Sequence, residues 1–340
     1  MATFILGLVI FLVGGALYGR LCERAFGPDD RTTPAIEKAD GVDYVPMPKW
    51  RNSLINLLNI AGTGPILGPI QGILFVPVFF VTVACGILSG FHSTQVTLVT
   101  RTVGSEREGR TTFYNMMILE GTVAMVWAAA SMAMIGVGAA EGGITMQMTD
   151  GGWAYFAQVD GEVQRIAATS VVGVACNKLL GPVGIVAIIG AIVLSVTSGD
   201  TAMRSLRLMV PEALGVGTGG AGRRLAVAAP LFALAACLLV WAKSDADGFG
   251  IIWRYSGWAN QTLGVCALVT VTIWLVSHGK RRVAWMPLVP LAFYAFITCT
   301  FLLSARIGFN LPIQVAYAVG AIFAIAACAL SLWWGSRRRE

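Results

Sequence analysis

The sequence has little charge, and this excludes the soluble globular class. Only 12% of its 340 residues are Asp, Glu, Lys or Arg, whereas about a quarter are charged in typical soluble domains. Hydrophobic residues make up 56% of the chain, and its mean hydropathy is +0.73. Apolar runs near or above the roughly 20 residues that cross a bilayer recur along it. Ten-residue alternating segments, typical of membrane β-barrels, do not stand out. We therefore predict an all-α polytopic membrane bundle.

Several catalytic and metal-binding motifs are also missing. The chain has no C-x-x-C, H-E-x-x-H, G-x-x-x-x-G-K-[ST] or G-x-S-x-G stretch, which argues against a zinc enzyme, an ATP-driven pump and a serine hydrolase. Most of the seven cysteines sit in apolar runs, where small packing residues are expected. The sequence thus predicts no catalytic residues, no metal and no cofactor beyond a possible coupling H⁺ or Na⁺.

The net charge of +6 does not indicate a nucleic-acid partner. Basic residues cluster beside apolar runs, as at 279–282 and 337–339. This pattern is typical of loops that set membrane topology and attract anionic lipids. Membrane lipids and a small solute are the expected partners, and the oligomeric state stays open.

Residues 1–340 are predicted to form one transmembrane domain of about eight or nine spans. Residues 20–52 are a polar connector, and residues 139–164, poor in Lys and Arg, are a probable extracytoplasmic loop. The positive-inside rule places the Arg-rich loops 101–110, 204–224 and 279–282 in the cytoplasm. Residues 54–90 cross once or twice, so the side of the N-terminus is left open. Other spans are expected at 2–19, 112–138, 180–198, 224–242, 257–277, 284–303 and 312–334.

The segment Leu58 to Gly72, LNIAGTGPILGPIQG, carries four glycines and two prolines inside an apolar stretch. Gly and Pro interrupt helices, and irregular backbone at membrane depth survives only where protein or a water-filled cavity covers it. Gly62, Pro65, Gly68 and Pro69 are expected to break the helix there. Transporters use such breaks to hold solutes and ions. Close helix packing on glycine is the simpler alternative.

A second Gly-Pro interruption occurs at Gly181-Pro182, after Asn177 and Lys178. Paired interruptions of this kind point to a transporter binding site. A kink or a loop edge explains a single Gly-Pro pair equally well.

A hydroxyl-rich stretch follows the 180–198 run, with Thr197, Ser198, Asp200 and Thr201. Hydroxyl oxygens suit a hard cation such as Na⁺, and a desolvated Asp200 could carry a proton. The alternative is a helix end at the membrane interface, with Asp200 paired to Arg204 at i+4.

Glu120 and His92 are two further polar candidates. Glu120 lies near mid-depth of its span and either pairs with an arginine or carries a proton. His92 lies in the polar cluster 89–95, where it either relays protons or is a hydrogen-bonded structural residue.

Six stretches together resemble the carbon starvation protein A (CstA) family of membrane carriers. They are FGPDDRTTP at 26–34, GVDYVPM at 41–47, LNIAGTGPILGPIQG at 58–72, SGFHSTQ at 89–95, TSGDTAMRSLRL at 197–208 and WRYSGWANQTL at 253–263. The resemblance implies a bacterial inner-membrane carrier related to the amino-acid–polyamine–cation superfamily, with a LeuT-like fold of broken helices and inverted repeats. It also implies uptake of peptides or pyruvate in carbon starvation, driven by an ion gradient.

The chain departs from the family pattern at one place. In the family, several spans separate the GPI-x-G stretch from the SGFHSTQ stretch, but here only 16 residues separate Gly72 from Ser89. The core is therefore expected to be shortened within residues 72–80, which leaves open whether the inverted-repeat fold is complete.

We predict a secondary transporter, an ion- or proton-coupled symporter for a small organic solute such as pyruvate or peptides, and not an enzyme. The alternative is a non-transporting membrane sensor or assembly subunit on the same scaffold. Arg101 and Arg204 either attract a carboxylate or only set topology. The expected substrate-binding residues are Asn59, Gly62, Thr63, Gly64, Gln71, His92 and Gln95. The expected coupling residues are Thr197, Ser198, Asp200, Thr201 and Glu120.

Overall fold

A computed structural model describes residues 2–74, 89–149, 152–215, 220–245 and 248–338. Within these ranges the protein is mostly helical, and eight helical stretches are long and apolar enough to cross a membrane. The part of the shortened region beyond residue 74, Cys85 and Arg339 lie outside the described residues.

The helices and strands are numbered here in chain order. The first group comprises α1 (Ala2–Phe26), α2 (Pro34–Glu37), α3 (Lys49–Ile60), α4 (Thr63–Leu74), α5 (Gly90–Val99), a 3₁₀ turn (Glu106–Glu108), a π-helical turn (Arg110–Asn115) and α6 (Met116–Val137). A 3₁₀ turn (Ala139–Glu141), β1 (Thr145–Thr149), β2 (Gly152–Val159), β3 (Glu162–Ile166), α7 (Ala168–Leu180) and a 3₁₀ turn (Gly181–Val183) follow. The last group is α8 (Gly184–Ala213), α9 (Ala221–Ser244), α10 (Gly248–Ser277), a 3₁₀ turn (Arg281–Val283), α11 (Trp285–Ser304) and α12 (Ile313–Arg337).

The chain divides into two compact units. Unit 1 comprises residues 1–87 and 99–200, and unit 2 comprises residues 88–98 and 201–340. The division falls inside α8, between Asp200 and Thr201.

In unit 1, α1 lies antiparallel to α6. A methyl group on Gly19 would stand 2.6 Å from Tyr114, and one on Gly7 would stand 3.6 Å from Met125. The Ala2 end of α1 therefore lies on the side where α6 ends and the strands begin. With the loop 101–110 in the cytoplasm, as its arginines predict, this packing favours an outside N-terminus.

The connector between α1 and α3 is shorter than expected, because α1 continues to Phe26 and α3 begins at Lys49. The connector stretches at 26–34 and 41–47 both contact the loop 101–110. Thr33 Oγ1 donates to Val103 O at 2.7 Å, and Met47 N donates to Thr102 O at 2.9 Å. These two hydrogen bonds to backbone carbonyl groups hold the loop in one position, which fixes where α6 begins.

Charged groups surround the same connection. Arg110 pairs with Glu23 at 3.0 Å, and Arg107 with Asp30 at 2.6 Å. Hydrogen bonds from the Arg31 side chain hold the pKa of the exposed Asp29 carboxyl below its usual value. The Arg107–Asp30 pair is exposed, and exposed ion pairs contribute little to stability, whereas the Arg110–Glu23 pair is partly buried.

The predicted extracytoplasmic segment 139–164 contains most of an antiparallel sheet in the order β1-β2-β3. Thr145 pairs with Phe156, and Tyr155 pairs with Ile166. Asp160 and Gly161 both have positive φ, 51° and 89°, as a two-residue type I′ hairpin requires. The Asp-Gly pair is the sequence signal of this hairpin, which lies outside the helical spans.

Tyr155 attaches this sheet to α4. Its side chain is buried, and its hydroxyl donates to the Ile70 carbonyl oxygen. Burial raises the pKa of Tyr155, so the phenol keeps its proton and stays a donor. The sheet therefore positions the half-helix that follows the interruption at residues 61–62.

In unit 2, the helices α10, α11 and α12 pack against one another. Small residues let their backbones approach, as is usual between membrane helices. A methyl group on Gly320 of α12 would stand 2.4 Å from Thr300 Oγ1 and 3.1 Å from Phe296 O. Ala316 of α12 and Leu291 of α11 are completely buried.

This packing makes Gly320→Ala destabilising by about 1–3 kcal/mol, the usual cost of overpacking. Thermal unfolding of the purified protein in detergent measures the effect. Gly257→Ala is the control, because a methyl group there meets no atom within 4 Å and alanine favours a helix interior. Equal stability of the two variants would contradict the packing described here.

Candidate functional site

The predicted interruption exists and is narrow. α3 ends at Ile60, Ala61 and Gly62 are non-helical, and α4 begins at Thr63. The expectation that Pro65, Gly68 and Pro69 also break the helix was wrong, since all three lie inside α4. Pro65 occupies the first turn, where a missing N–H costs nothing.

The interruption is buried against α8. A methyl group on Gly62 would stand 1.8 Å from Ser198 Oγ and 3.1 Å from Leu194 O. The first distance is far too short for a real contact and the second is tighter than usual, so a side chain at residue 62 would force Ser198 and α8 to move away.

Two hydroxyl groups of α8 meet the carbonyl groups at the end of α3. Ser198 Oγ donates to Asn59 O at 2.6 Å. Thr197 Oγ1 lies 3.1 Å from Leu58 O and 2.9 Å from Leu194 O of its own helix. Because a helix leaves its last four carbonyls without partners, these hydroxyls satisfy groups that the interruption exposes.

This arrangement collects neutral oxygen atoms at one place. Carbonyl and hydroxyl oxygens are ligands that hard cations accept, and unwound backbone serves this purpose in transporters. The Thr197 proton has an alternative acceptor in Leu194 O, so its hydroxyl can turn a lone pair toward a cation. In the described part of the chain, no group of three or more His, Cys, Asp or Glu residues is placed to hold a metal.

The other predicted coupling residues are placed differently. The stretch 197–201 lies inside α8, which continues to Ala213, so the alternative of a helix end was wrong. Asp200 is exposed on α8, and its role in coupling stays a prediction. Thr201 is buried in unit 2, while Glu120 is 2% exposed on α6 in unit 1.

A second polar cluster forms in unit 2, where α5 begins. The Asn260 side chain of α10 donates to Ser89 Oγ at 2.7 Å and accepts from Phe91 N at 2.8 Å. Gly90 is required here, because a methyl group would stand 2.1 Å from Asn260 O. The family stretches 89–95 and 253–263 thus meet at the start of a helix, which favours negative groups.

Gln95 follows on the same helix and is 2% exposed. Neither its amide nitrogen nor its amide oxygen has a hydrogen-bond partner. A buried polar group without a partner costs free energy, and such groups call for a functional explanation. His92 is half-buried, and its Nδ1 accepts from Ser89 N at 3.2 Å.

The structure brings some of the predicted residues together and separates others. Asn59, Gly62, Thr197 and Ser198 form one cluster in unit 1. Thr63, Gly64 and Gln71 lie on α4 of the same unit, and Gln71 is buried. His92 and Gln95 belong to the cluster in unit 2.

The second Gly-Pro interruption is a 3₁₀ turn at Gly181–Val183 between α7 and α8. Its neighbour Lys178 donates to Glu141 O at 2.6 Å, at the start of the sheet. Lys178 and Asn177 also line an open cleft of about 310 Å³ with Gln158. This interruption is exposed, in contrast to the buried one at residues 61–62.

Sequence reasoning missed three polar residues that belong to these surroundings. Ser205 Oγ donates to Thr94 O at 3.3 Å. Asn52 and Asn56 are buried on α3, ahead of the interruption. Their four-residue spacing on one helix face was a usable signal, but both precede the quoted glycine-rich stretch.

The chain matches the family model described as Carbon starvation protein CstA over residues 1–75, 70–175 and 144–301. One junction between matched segments, at 70–75, adjoins the region 72–80 where shortening is expected. No solved structure matches the chain significantly.

Three similar proteins illustrate the relationship. The chain is 27% identical to the "Peptide transporter CstA" of Escherichia coli K12 over 302 residues, 74% of this chain and 42% of that protein. It is 45% identical over 87 residues to an uncharacterized membrane protein of Haemophilus influenzae, 25% of this chain and 24% of that protein. It is 37% identical over 121 residues to another uncharacterized Haemophilus influenzae protein, 36% of this chain and 81% of that protein. The chain thus spans less than half the length of the Escherichia coli relative.

The eight candidate spans and these relatives make the chain a multi-pass protein of the bacterial inner membrane. The six motif stretches, the buried interruption and the match over most of the length agree on its relationship. The chain belongs to the carbon starvation protein CstA family.

Proposed function

We propose that the protein takes part in secondary transport of a small organic solute, peptide-like or pyruvate-like, coupled to a cation or proton gradient. The observation that carries this proposal is the contact of the Thr197 and Ser198 hydroxyls with the carbonyl groups beside the interruption. The name of the Escherichia coli relative supports transport of peptides.

The coupling ion is assigned to the oxygen cluster in unit 1. A cation there would replace the two hydroxyl protons as the partner of Leu58 O and Asn59 O. The cluster contains no carboxylate among its named ligands, which suits a monovalent cation better than a divalent one. Glu120 is the candidate for proton coupling, since a buried carboxylate within a membrane span usually serves a functional pathway.

The solute contacts are assigned to two sets of residues. Asn59 and Thr63 border the interruption in unit 1, Gln71 is buried further along α4, and His92 and Gln95 lie on α5 in unit 2. The buried interruption also supports a fold with broken helices. The LeuT-like inverted repeat stays a prediction.

The second candidate function is a non-transporting sensor or assembly subunit. It is favoured by the junction in the family match at residues 70–75 and by the short distance from Gly72 to Ser89. This candidate predicts a stable protein that co-purifies with a second membrane or signalling protein and shows no solute flux.

Uptake of labelled dialanine and pyruvate into proteoliposomes separates the two candidates. We expect uptake to rise several-fold when an inward Na⁺ or H⁺ gradient is imposed. If neither gradient changes uptake of either solute by the wild-type protein, coupled transport is ruled out and the subunit candidate is favoured.

Ser198→Ala tests the coupling site directly. Losing one oxygen ligand should raise the half-saturating cation concentration about 10-fold, because one hydrogen bond or ligand of this kind is worth about 1–1.5 kcal/mol. Ser195→Ala is the matched control, since Ser195 Oγ bonds only to Ala191 O of the same helix, at 2.9 Å. Equal cation dependence in both variants would refute the assigned site.

Gln95→Leu tests the solute contact in unit 2. Removing two buried, unpaired polar atoms should leave thermal stability unchanged or slightly higher, while the half-saturating solute concentration rises about 10-fold. Concentration-dependent uptake and thermal unfolding are measured on the same preparation. Loss of stability with unchanged uptake kinetics would show that Gln95 is structural.

A further inference from the structure

The buried face of α3 is polar. Asn52, Ser53 and Asn56 are each at most 4% exposed, whereas Leu54, Ile55 and Leu58 are exposed. This reverses the usual pattern of a packed helix in a soluble protein. In a membrane span, polar groups are expensive and face a cavity or a functional path. The polar face therefore needs an explanation that packing does not give.

A π-helical turn faces the polar side of α3. Residues 110–115 form this turn, and Thr112 inside it is completely buried. Asn56 Nδ2 donates to Thr112 O at 2.6 Å, and the Ser53 and Thr112 hydroxyls lie 3.3 Å apart. Single π-helical turns are frequent at functional sites, because the extra residue frees a carbonyl from the helix ladder.

Both asparagines keep one polar atom without a partner. Asn56 Oδ1 has none, and its orientation is fixed because Nδ2 is needed by Thr112 O. Asn52 Nδ2 also has none, while Asn52 Oδ1 accepts from the Thr102 hydroxyl at 2.9 Å. Thr102 can instead donate to Val99 O, so Asn52 can present either its nitrogen or, after a flip, its oxygen.

The two side chains are neighbours that lead toward the interruption. Residues four apart on a helix have Cβ atoms about 5–6 Å apart, and Asn59 follows at three further residues. Asn52, Asn56 and Asn59 therefore form a line along α3 from the side of the loop 101–110 to the Ala61–Gly62 interruption.

We propose that Asn52, Asn56 and Thr112 form an inner subsite that binds an N–H-bearing group, amide or ammonium, of the transported solute. A fixed acceptor at Asn56 Oδ1 can be satisfied only by a donor. Peptides and amino acids supply N–H donors, whereas a keto acid anion such as pyruvate supplies acceptors alone. The inference rests on the proposed function and selects the peptide-like solute within it.

Equilibrium binding to the purified full chain in nanodiscs tests the subsite without any gradient. The probes are dialanine, its ester analogue alanyl-lactate, which lacks the amide N–H, N-acetyl-dialanine, which lacks the ammonium, and pyruvate. The N–H group that Asn56 Oδ1 binds is missing from one of the two analogues, alanyl-lactate or N-acetyl-dialanine. The wild-type protein should bind dialanine about 5- to 10-fold more tightly than that analogue. This comparison uses only the wild-type protein, so its outcome does not depend on whether a variant folds.

Asn56→Leu should weaken dialanine binding by the same factor and abolish discrimination against that analogue. Gln164→Leu, which also replaces an amide side chain with leucine at an exposed position of unit 1, should do neither. Thermal unfolding is recorded in parallel, because a purely structural role would lower stability without changing the ratio of the two affinities.

Four results would overturn the inference. The first is that dialanine does not bind, and the second is that pyruvate binds as tightly as dialanine. The third is that Asn56→Leu still discriminates between dialanine and the analogue. The fourth is that the site binds only when NaCl is added, without any peptide, which would mean that it holds a cation. If the subsite holds only water, any discrimination arises elsewhere in the protein and survives in Asn56→Leu, which is the third result. If dialanine binds as expected but no gradient drives uptake, the proposed function fails while the subsite stands.

Discussion

The structure of unit 1 depends on one close approach, in which Gly62 leaves room for Ser198 to reach the Asn59 carbonyl. Without a side chain at residue 62, α8 comes near enough for its hydroxyls to satisfy carbonyl groups that the end of α3 exposes. Interrupted backbone is otherwise intolerable at membrane depth. The same contact that stabilises the interruption also assembles the oxygen atoms that a coupling cation needs.

Other parts of unit 1 hold the two half-helices on either side of this contact. The connector fixes the loop 101–110 through Thr33 and Met47, and this loop leads into the π-helical turn that faces α3. On the other side, Tyr155 ties the sheet to α4. The interruption therefore lies between two anchored half-helices, and its local geometry is set from both ends.

Much of the fold could be predicted from the sequence, because the lengths of apolar runs and the positions of basic loops are strong signals of membrane spans. The spans and the interruption followed from hydropathy and from glycine and proline. The number of helix breaks could not be predicted in the same way, because Pro65 lies in the first turn of α4 and Pro69 lies within that helix without ending it. The sheet was missed because an Asp-Gly hairpin signal is short. The polar face of α3 was missed because Asn52 and Asn56, although spaced four residues apart, precede the glycine-rich stretch that marks the interruption.

Water accessibility of the interruption is the most direct measurement. Single cysteines replace Leu54, Ile55, Asn59 and Thr63 in a cysteine-free background and are treated with a membrane-impermeant maleimide. A sheltered polar interruption predicts labelling at residues 59 and 63, slowed by dialanine, and no labelling at 54 and 55. Four unreactive positions would mean that water does not reach this segment, which would contradict a solute site there.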